Sequence, residues 1–164
     1  AAGKEVNSSF VGKSVVALTR FNGQSELLVV KATQMFEKPE TLTFEQAAAI
    51  PVNYLTAYAL LVVMGSLHAG ESVLIHNAGG GVGLAALDIA KKIGAETYGT
   101  ASPGKHKFLT QRGLDHPIDY RKQDWLPELQ KLTNGLGVDL VIDPIGGAHE
   151  WIASQQSQQN WPPG

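Results

Sequence analysis

The run His76-Asn77-Ala78-Gly79-Gly80-Gly81-Val82-Gly83 holds the residues whose types and spacing best suggest chemistry. Ala78, Gly80 and Gly83 stand at the three small positions of a dinucleotide fingerprint, with Ala in place of the first Gly. The chemistry is anion binding by backbone. The turn must be tight, the chain at Gly80 must come close to a pyrophosphate, and Gly83 must let a helix pack on a strand. A helix starting near Val82 then offers unpaired N–H groups and a partial positive charge to the phosphates. Bare spacing of this kind also occurs in purely structural turns; a strand before it and a helix after it make it specific.

Coenzyme choice is read at the end of the next strand. A site for the unphosphorylated dinucleotide places Asp or Glu about twenty residues beyond the first small position, where it bonds the ribose 2′-hydroxyl. Here Gly99-Thr100-Ala101-Ser102 has no acid, and Lys105 follows. Hydroxyls beside a cation suit a 2′-phosphate, so the sequence favours NADPH. The plain alternative for Lys105 is a solvated lysine, somewhat misplaced against the positive end of a helix dipole.

The elements that position these residues follow from period and punctuation. Val15 to Leu18 and Glu26 to Val30 read as short strands around an Asn22-Gly23 turn, with Gly12-Lys13 as an earlier turn. Thr43 and Gln46 have capping-box spacing. Phe44, Ala47, Ala48 and Ile50 give that helix an apolar face, which Pro51 should end or kink. A second helix is expected from Asn53 to Met64, stopped by Gly65. Strand and helix then alternate: Val73 to Ala78, Val82 to Ile93 with Gly94 closing it, and Thr97 to Ala101. Ser102-Pro103 opens a helix ending at Gly113, Pro117 to Tyr120 is a strand, and Asp124 opens a helix through Leu132. Asn134-Gly135 turns the chain into a last strand, Val138 to Ile142. Such alternation implies an α/β fold of Rossmann type, a parallel sheet with helices on both faces.

Composition narrows the classes. With 164 residues, 43% apolar and 17% charged, the chain is of ordinary globular make-up, and a net charge of −2 gives no reason to expect nucleic acid as partner. The longest apolar run, Tyr58 to Met64, is too short to span a bilayer. There is no cysteine, and His68, His106, His116 and His149 lack ligand spacing, so no metal site is expected. His76 on a buried strand reads as a core histidine. Trp125 and Trp151 read as packing residues. A cytoplasmic location is expected, and the Gln-rich, Pro-ended stretch 154–164 is expected to be disordered.

Several segments together resemble one family. Leu55-Thr56-Ala57-Tyr58, Gly70 through His76, the Gly79–Gly83 turn, Gly99 through Ser102, His116 through Tyr120, and Asp143-Pro144-Ile145-Gly146-Gly147 stand in its register. The family is the zinc-independent quinone-oxidoreductase branch of the medium-chain dehydrogenase/reductases, nearest to the vesicle amine transport protein-like subgroup. The resemblance covers about Val11 to Gly147. It implies a GroES-like catalytic domain and a Rossmann domain, with hydride passing from NADPH to a quinone or an α,β-unsaturated carbonyl. It also implies roles. Asn53 and Thr56 would border the nicotinamide, and Gly80, Gly81 and Val82 the pyrophosphate. Ser102, Lys105 and Tyr120 would hold the adenosine 2′-phosphate end, and Asp143, Pro144 and Ile145 a loop near the nicotinamide. The bland readings are a helix cap for Asn53, a helix-interior residue for Thr56 and a half-buried strand end for Tyr120.

On this resemblance residues 1–42 are a remnant of the GroES-like domain and 43–153 a partial Rossmann domain with its leading helices. Relatives of this kind begin well before Ala1 and continue after Gly147 with further strands that often form a homodimer edge. The chain therefore reads as a fragment. Two other readings stay open: an enoyl-thioester reductase, and a non-catalytic nucleotide-binding or interaction module.

Overall fold

The computed structural model describes residues 2, 3, 6, 8–121 and 124–144. Ile145 and the stretch 154–164 lie outside them. The chain divides into two compact units, Ala1–Val52 and Asn53–Gly164.

In the first unit, β1 (Val15–Ala17) pairs antiparallel with β2 (Met35–Glu37), Val16 opposite Phe36. Backbone bonds from Leu18 to Gln34 and from Lys38 to Ser14 extend the ladder at both ends, and Lys13 pairs with Glu37 at 2.8 Å. The strand expected at Glu26–Val30 is not formed, and Met35–Glu37 is the partner instead. An apolar run becomes a strand only where a neighbour accepts its hydrogen bonds and covers a face. Leu27 and Val29 are 91% and 98% exposed, so nothing covers that segment. Asn22 of the expected Asn22-Gly23 turn is left-handed at φ +63°.

Helix α1 (Phe44–Tyr58) begins on the reciprocal cap read from the sequence. The Thr43 N–H donates to Gln46 Oε1 at 3.0 Å, and the Gln46 N–H to Thr43 Oγ1 at 3.2 Å. Pro51 does not end it: the helix runs through, so the two expected helices are one. Proline removes one backbone bond and crowds the preceding turn, a local cost that neighbouring turns can carry. A wider π-type turn, Ala59–Met64, continues the helix to Gly65, whose N–H donates to the Leu60 carbonyl at 2.9 Å. Residues 44–64 thus make 21 helical residues, long and apolar enough by composition to cross a membrane, which the shorter apolar run had not suggested. Within the second unit, however, Ala57 and Leu61 are fully buried and Asn53 and Tyr54 meet polar or glycine partners, as in a packing helix.

The second unit is a four-stranded parallel sheet in the order β5-β4-β3-β6: β3 (Ser72–Ile75), β4 (Glu96–Ala101), β5 (His116–Asp119) and β6 (Leu140–Ile142). Helices α2 (Gly81–Ile93), α3 (Pro103–Gln111) and α4 (Trp125–Leu132) connect them. Alternation along β3 divides the core. Val73 and Ile75 face a cluster with Ala57, Leu61, Ala86, Ala90 and Leu109, while Leu74 faces Tyr98, Ile118, Trp125 and Leu129. Helices therefore cover both faces. Each fully buried Val, Leu or Ile side chain contributes about 1.5–3 kcal/mol. Helix α2 ends on Gly94 at φ +92°, its N–H bonded to the Ala90 carbonyl, with Lys91 and Lys92 in the last turn.

Candidate functional site

Because the four strands are parallel, their carboxyl ends share one edge, the usual place for a ligand in an open α/β sheet. There the chain leaves β3 through His76, whose N–H donates to the Ile142 carbonyl at 2.9 Å. Thr100, buried in β4, holds the next step: its Oγ1 accepts the Asn77 N–H at 3.2 Å and lies 3.1 Å from His76 Nδ1, and its carbonyl accepts the Ala78 N–H at 3.0 Å. Asn77 takes the left-handed conformation (φ +51°), and its carbonyl accepts the Gly80 N–H at 2.9 Å. The result is a tight turn pinned to its neighbour strand.

Gly80 is extended and starts α2 without any side-chain cap on the helix amides. A helix end so built keeps backbone donors for an anion. Two glycines here stand in close contact, one with backbone and one with a side chain. A Cβ on Gly83 would lie 2.3 Å from the Asn77 carbonyl oxygen and 2.7 Å from Ala78 Cα, so only glycine lets α2 approach the turn. A Cβ on Gly81 would lie 2.6 Å from Asn53 Oδ1, so the Asn53 amide rests against the helix start. This geometry fits the diphosphate of a dinucleotide: Gly83 seats the helix start close on the turn, and the backbone N–H groups there carry no side-chain cap.

The residues singled out in the sequence fall into groups. Ala78 is fully buried beneath the turn, and Gly80, Gly81, Val82 and Gly83 form the turn and helix start. Asn53 is brought to that start. Thr56, one turn on, is exposed. Ser102 precedes α3 and its carbonyl accepts the Lys105 N–H at 2.9 Å, but its hydroxyl does not cap the helix. Tyr120 follows β5 and is half exposed, with the Arg121 guanidinium 5.9 Å over its ring. The register sets Ala101 beside Asp119, so Ser102 and Tyr120 leave neighbouring strands at the same level. Lys105 reaches back to the turn, its Nζ donating to the Gly79 carbonyl at 2.9 Å. Asp143 follows β6, half-buried, and Ile145 lies outside the described residues. His76 is buried edge-on to Trp125 at 4.6 Å, a packing arrangement.

Sequence reasoning missed the supports. The sequence groups Thr100 with Ser102 as hydroxyls suited to a 2′-phosphate, but Thr100 is buried and its hydroxyl meets the Asn77 N–H and the His76 ring instead. Asn77 was visible only as a residue that tolerates the left-handed region. A second network also escaped notice. The Tyr54 hydroxyl donates to Asp88 Oδ2 at 2.6 Å, and Arg112 Nη2 donates to both Asp88 oxygens at 2.7 and 2.8 Å. It ties α1 to α2 and the end of α3, and so fixes Asn53 beside the turn. Its hydrogen bond to Asp88 raises the Tyr54 phenol above its usual pKa.

A cavity of about 680 Å³ opens at the opposite, amino-terminal edge of the sheet, between Ser72, Glu96, Tyr98 and the 132–139 loop. Its polar groups bond one another: Ser72 to Asp139 and Gly137 to Thr133. The glycine turn, by contrast, has a helix start with no side-chain cap. Among the described residues no three His, Asp or Glu side chains group to hold a metal ion.

Residues 81–157 match the family profile described as zinc-binding dehydrogenase. The chain is 46% identical over 149 residues to the synaptic vesicle membrane protein VAT-1 homolog of Danio rerio, covering 90% of this chain and 31% of that one. Among solved structures it resembles the CurK enoyl reductase (TM-score 0.87, 38% identity, 97% of this chain and 47% of that one). It also resembles a quinone oxidoreductase of Pseudomonas syringae (TM-score 0.86, 34% identity, 96% and 49%). The chain spans 31–38% of the length of the VAT-1 relatives it matches.

Proposed function

Since the chain belongs to the medium-chain dehydrogenase/reductase superfamily, we propose that it carries the coenzyme-binding core of an NADPH-dependent reductase acting on a quinone or an α,β-unsaturated carbonyl. The observation that carries this is the glycine turn: an uncapped helix start packed so closely on the turn that position 83 has no room for a Cβ. In this reading Gly80, Gly81 and Val82 donate backbone N–H groups to the diphosphate. Ser102, Lys105 and Tyr120 hold the 2′-phosphate and adenosine end; no acid follows β4, while Asp119 at the end of β5 accepts the Arg121 N–H at 2.9 Å. Asn53 and Thr56 on α1, and Asp143 with Ile145 after β6, border the nicotinamide.

The bound coenzyme supplies a hydride. The residues here bind and orient it and help exclude water from its reactive end. Zinc is not required in the proposal, because a conjugated acceptor spreads the negative charge that hydride addition creates, whereas a simple ketone more often needs a Lewis acid. We further assign residues 1–42 to a GroES-like domain and 43–153 to the Rossmann domain, place the protein in the cytoplasm, and expect the full-length form to be a homodimer.

The likeness to an enoyl reductase at TM-score 0.87 favours a second reading, reduction of an enoyl thioester. Solvent deuterium entering the α carbon of a crotonyl thioester would select it; turnover of quinones alone would select the first.

The coenzyme assignment is tested by titrating the purified chain with NADPH and NADH. Losing a charge-assisted phosphate contact costs about 1.5–3 kcal/mol. Lys105→Ala should therefore weaken NADPH roughly ten- to a hundredfold, with no comparable loss for NADH. Equal losses for both coenzymes would overturn the assignment.

A further inference from the structure

We propose that Lys105 disfavours the unphosphorylated dinucleotide by occupying its path in the free protein, and that Gly79 is the positioning residue that lets it do so. The inference rests on the reading of the turn as an NADPH site.

Lys105 sits in the first turn of α3, beyond β4, while Gly79 sits in the turn after β3. Its Nζ donates to the Gly79 carbonyl at 2.9 Å, so the side chain spans the gap between the two loops. The stem lies directly on Gly79: a Cβ there would be 2.5 Å from Lys105 Cδ, 3.2 Å from Nζ and 3.4 Å from Cε. A Cβ at position 79 would push this flexible stem aside. A lysine near a helix start faces the positive end of the dipole and gains from an acceptor elsewhere. In the free protein that acceptor is the Gly79 carbonyl.

A dinucleotide on this fold runs its adenosine ribose from the end of the second strand to the glycine turn. That is the gap Lys105 crosses, so the ribose and the side chain compete. NADPH returns a partner for the displaced ammonium, its 2′-phosphate, and a charged acceptor is stronger than a carbonyl. NADH returns only a hydroxyl. The contact with Gly79 thus opposes NADH and is offset by NADPH, so preference arises from a bond within the free protein as well as from one within the complex.

The test is a fluorescence titration of the 164-residue chain and three variants with both coenzymes, folding being checked by circular dichroism. Lys105→Met should bind NADH about two- to fivefold more tightly than the wild type, the range of an exposed charged contact, while binding NADPH more weakly. Gly79→Ala keeps the lysine but pushes its stem off the turn, so it should also tighten NADH. The double variant should tighten NADH no further than Lys105→Met alone. NADH affinity unchanged or lowered in Lys105→Met, with NADPH weakened, overturns this inference and leaves the NADPH reading standing. Gly79→Ala binding NADH as the wild type does overturns the part assigned to Gly79. A wild-type chain that binds neither coenzyme overturns both the reading and the inference.

Discussion

At the amino ends of the parallel strands polar side chains bond chiefly to one another, whereas at the carboxyl ends the backbone of the glycine turn remains open to a ligand. Asp115 shows the first pattern. Its carboxylate accepts both the N–H and the hydroxyl of Thr97, at 2.9 and 2.8 Å, and the Lys91 ammonium at 2.8 Å. Ser72 and Asp139 close a similar pair between β3 and the start of β6, and Glu96 meets His116 at 2.8 Å between β4 and β5. The turn shows the second pattern: its fixed bonds run beneath it, to Thr100 and Ile142, and its outer face carries uncapped amides. A sheet needs its strand ends secured. Where side chains satisfy each other the end is scaffold, and where backbone donors are left over it can take an anion.

The largest expected effect breaks the open end. Gly83→Ala places a methyl 2.3 Å from the Asn77 carbonyl and 2.7 Å from Ala78 Cα, both backbone atoms that move only if the turn moves. Overpacking of this kind costs about 1–3 kcal/mol, and we expect the upper end. Urea unfolding should show the loss, and coenzyme titration should show weakened NADPH and NADH alike. Unchanged stability would mean that the turn is not held as tightly as its bonds to Thr100 suggest.

The next breaks the secured end. Asp115→Ala leaves the Thr97 N–H and hydroxyl without their acceptor, at about 1–2 kcal/mol, and should leave coenzyme preference unchanged. The same group gives a pH signature. Burial by itself would push this carboxyl up, but the hydrogen bonds from Lys91 and Thr97 outweigh it and hold the group below its ordinary value. A carboxyl depressed in the folded state adds stability above its unfolded pKa and loses it as pH falls through the folded one. Wild type should therefore lose stability through the acid range below about pH 4, and Asp115→Asn should show a flatter acid limb. Identical acid limbs would remove Asp115 from the scaffold role.

The smallest effect sharpens the contrast within the open end itself. Gly104 stands in the first turn of α3, next to Lys105, yet a Cβ there would meet nothing within 4 Å. Gly104→Ala should stabilise the chain by about 0.4–1 kcal/mol, by reducing the freedom of the unfolded state. A loss of stability equal to that of Gly83→Ala would show that the two glycines are not different in kind.

Much of this was legible in the sequence because it is local. The Thr43/Gln46 cap, the left-handed end of α2 at Gly94 and the alternation of strand and helix all depend on residues within a turn or two of each other. The Glu26–Val30 strand was misread for the complementary reason. Its pattern suits a strand, but strands are made in pairs, and β1 bonds Met35–Glu37 instead. Pro51 was read as a boundary because proline disfavours a helix interior, yet one lost bond did not outweigh the turns on either side.

The sequence by itself determined the turn, its three small positions, the absence of an acid after β4 and the identity of the cation nearby. Each is a property of a short stretch: which backbone angles are allowed, which side chains are small, which charge is present. Only the tertiary structure decided where those groups go. It set Lys105 across Gly79, 26 residues away, Thr100 under the turn, 23 residues from Asn77, and Asp115 against Thr97, 18 residues away. No local preference encodes these meetings. They exist because pairing β3 with β4, and β4 with β5, in one register brings distant side chains within bonding distance, and a one-residue slip would turn the strand side chains to the other face.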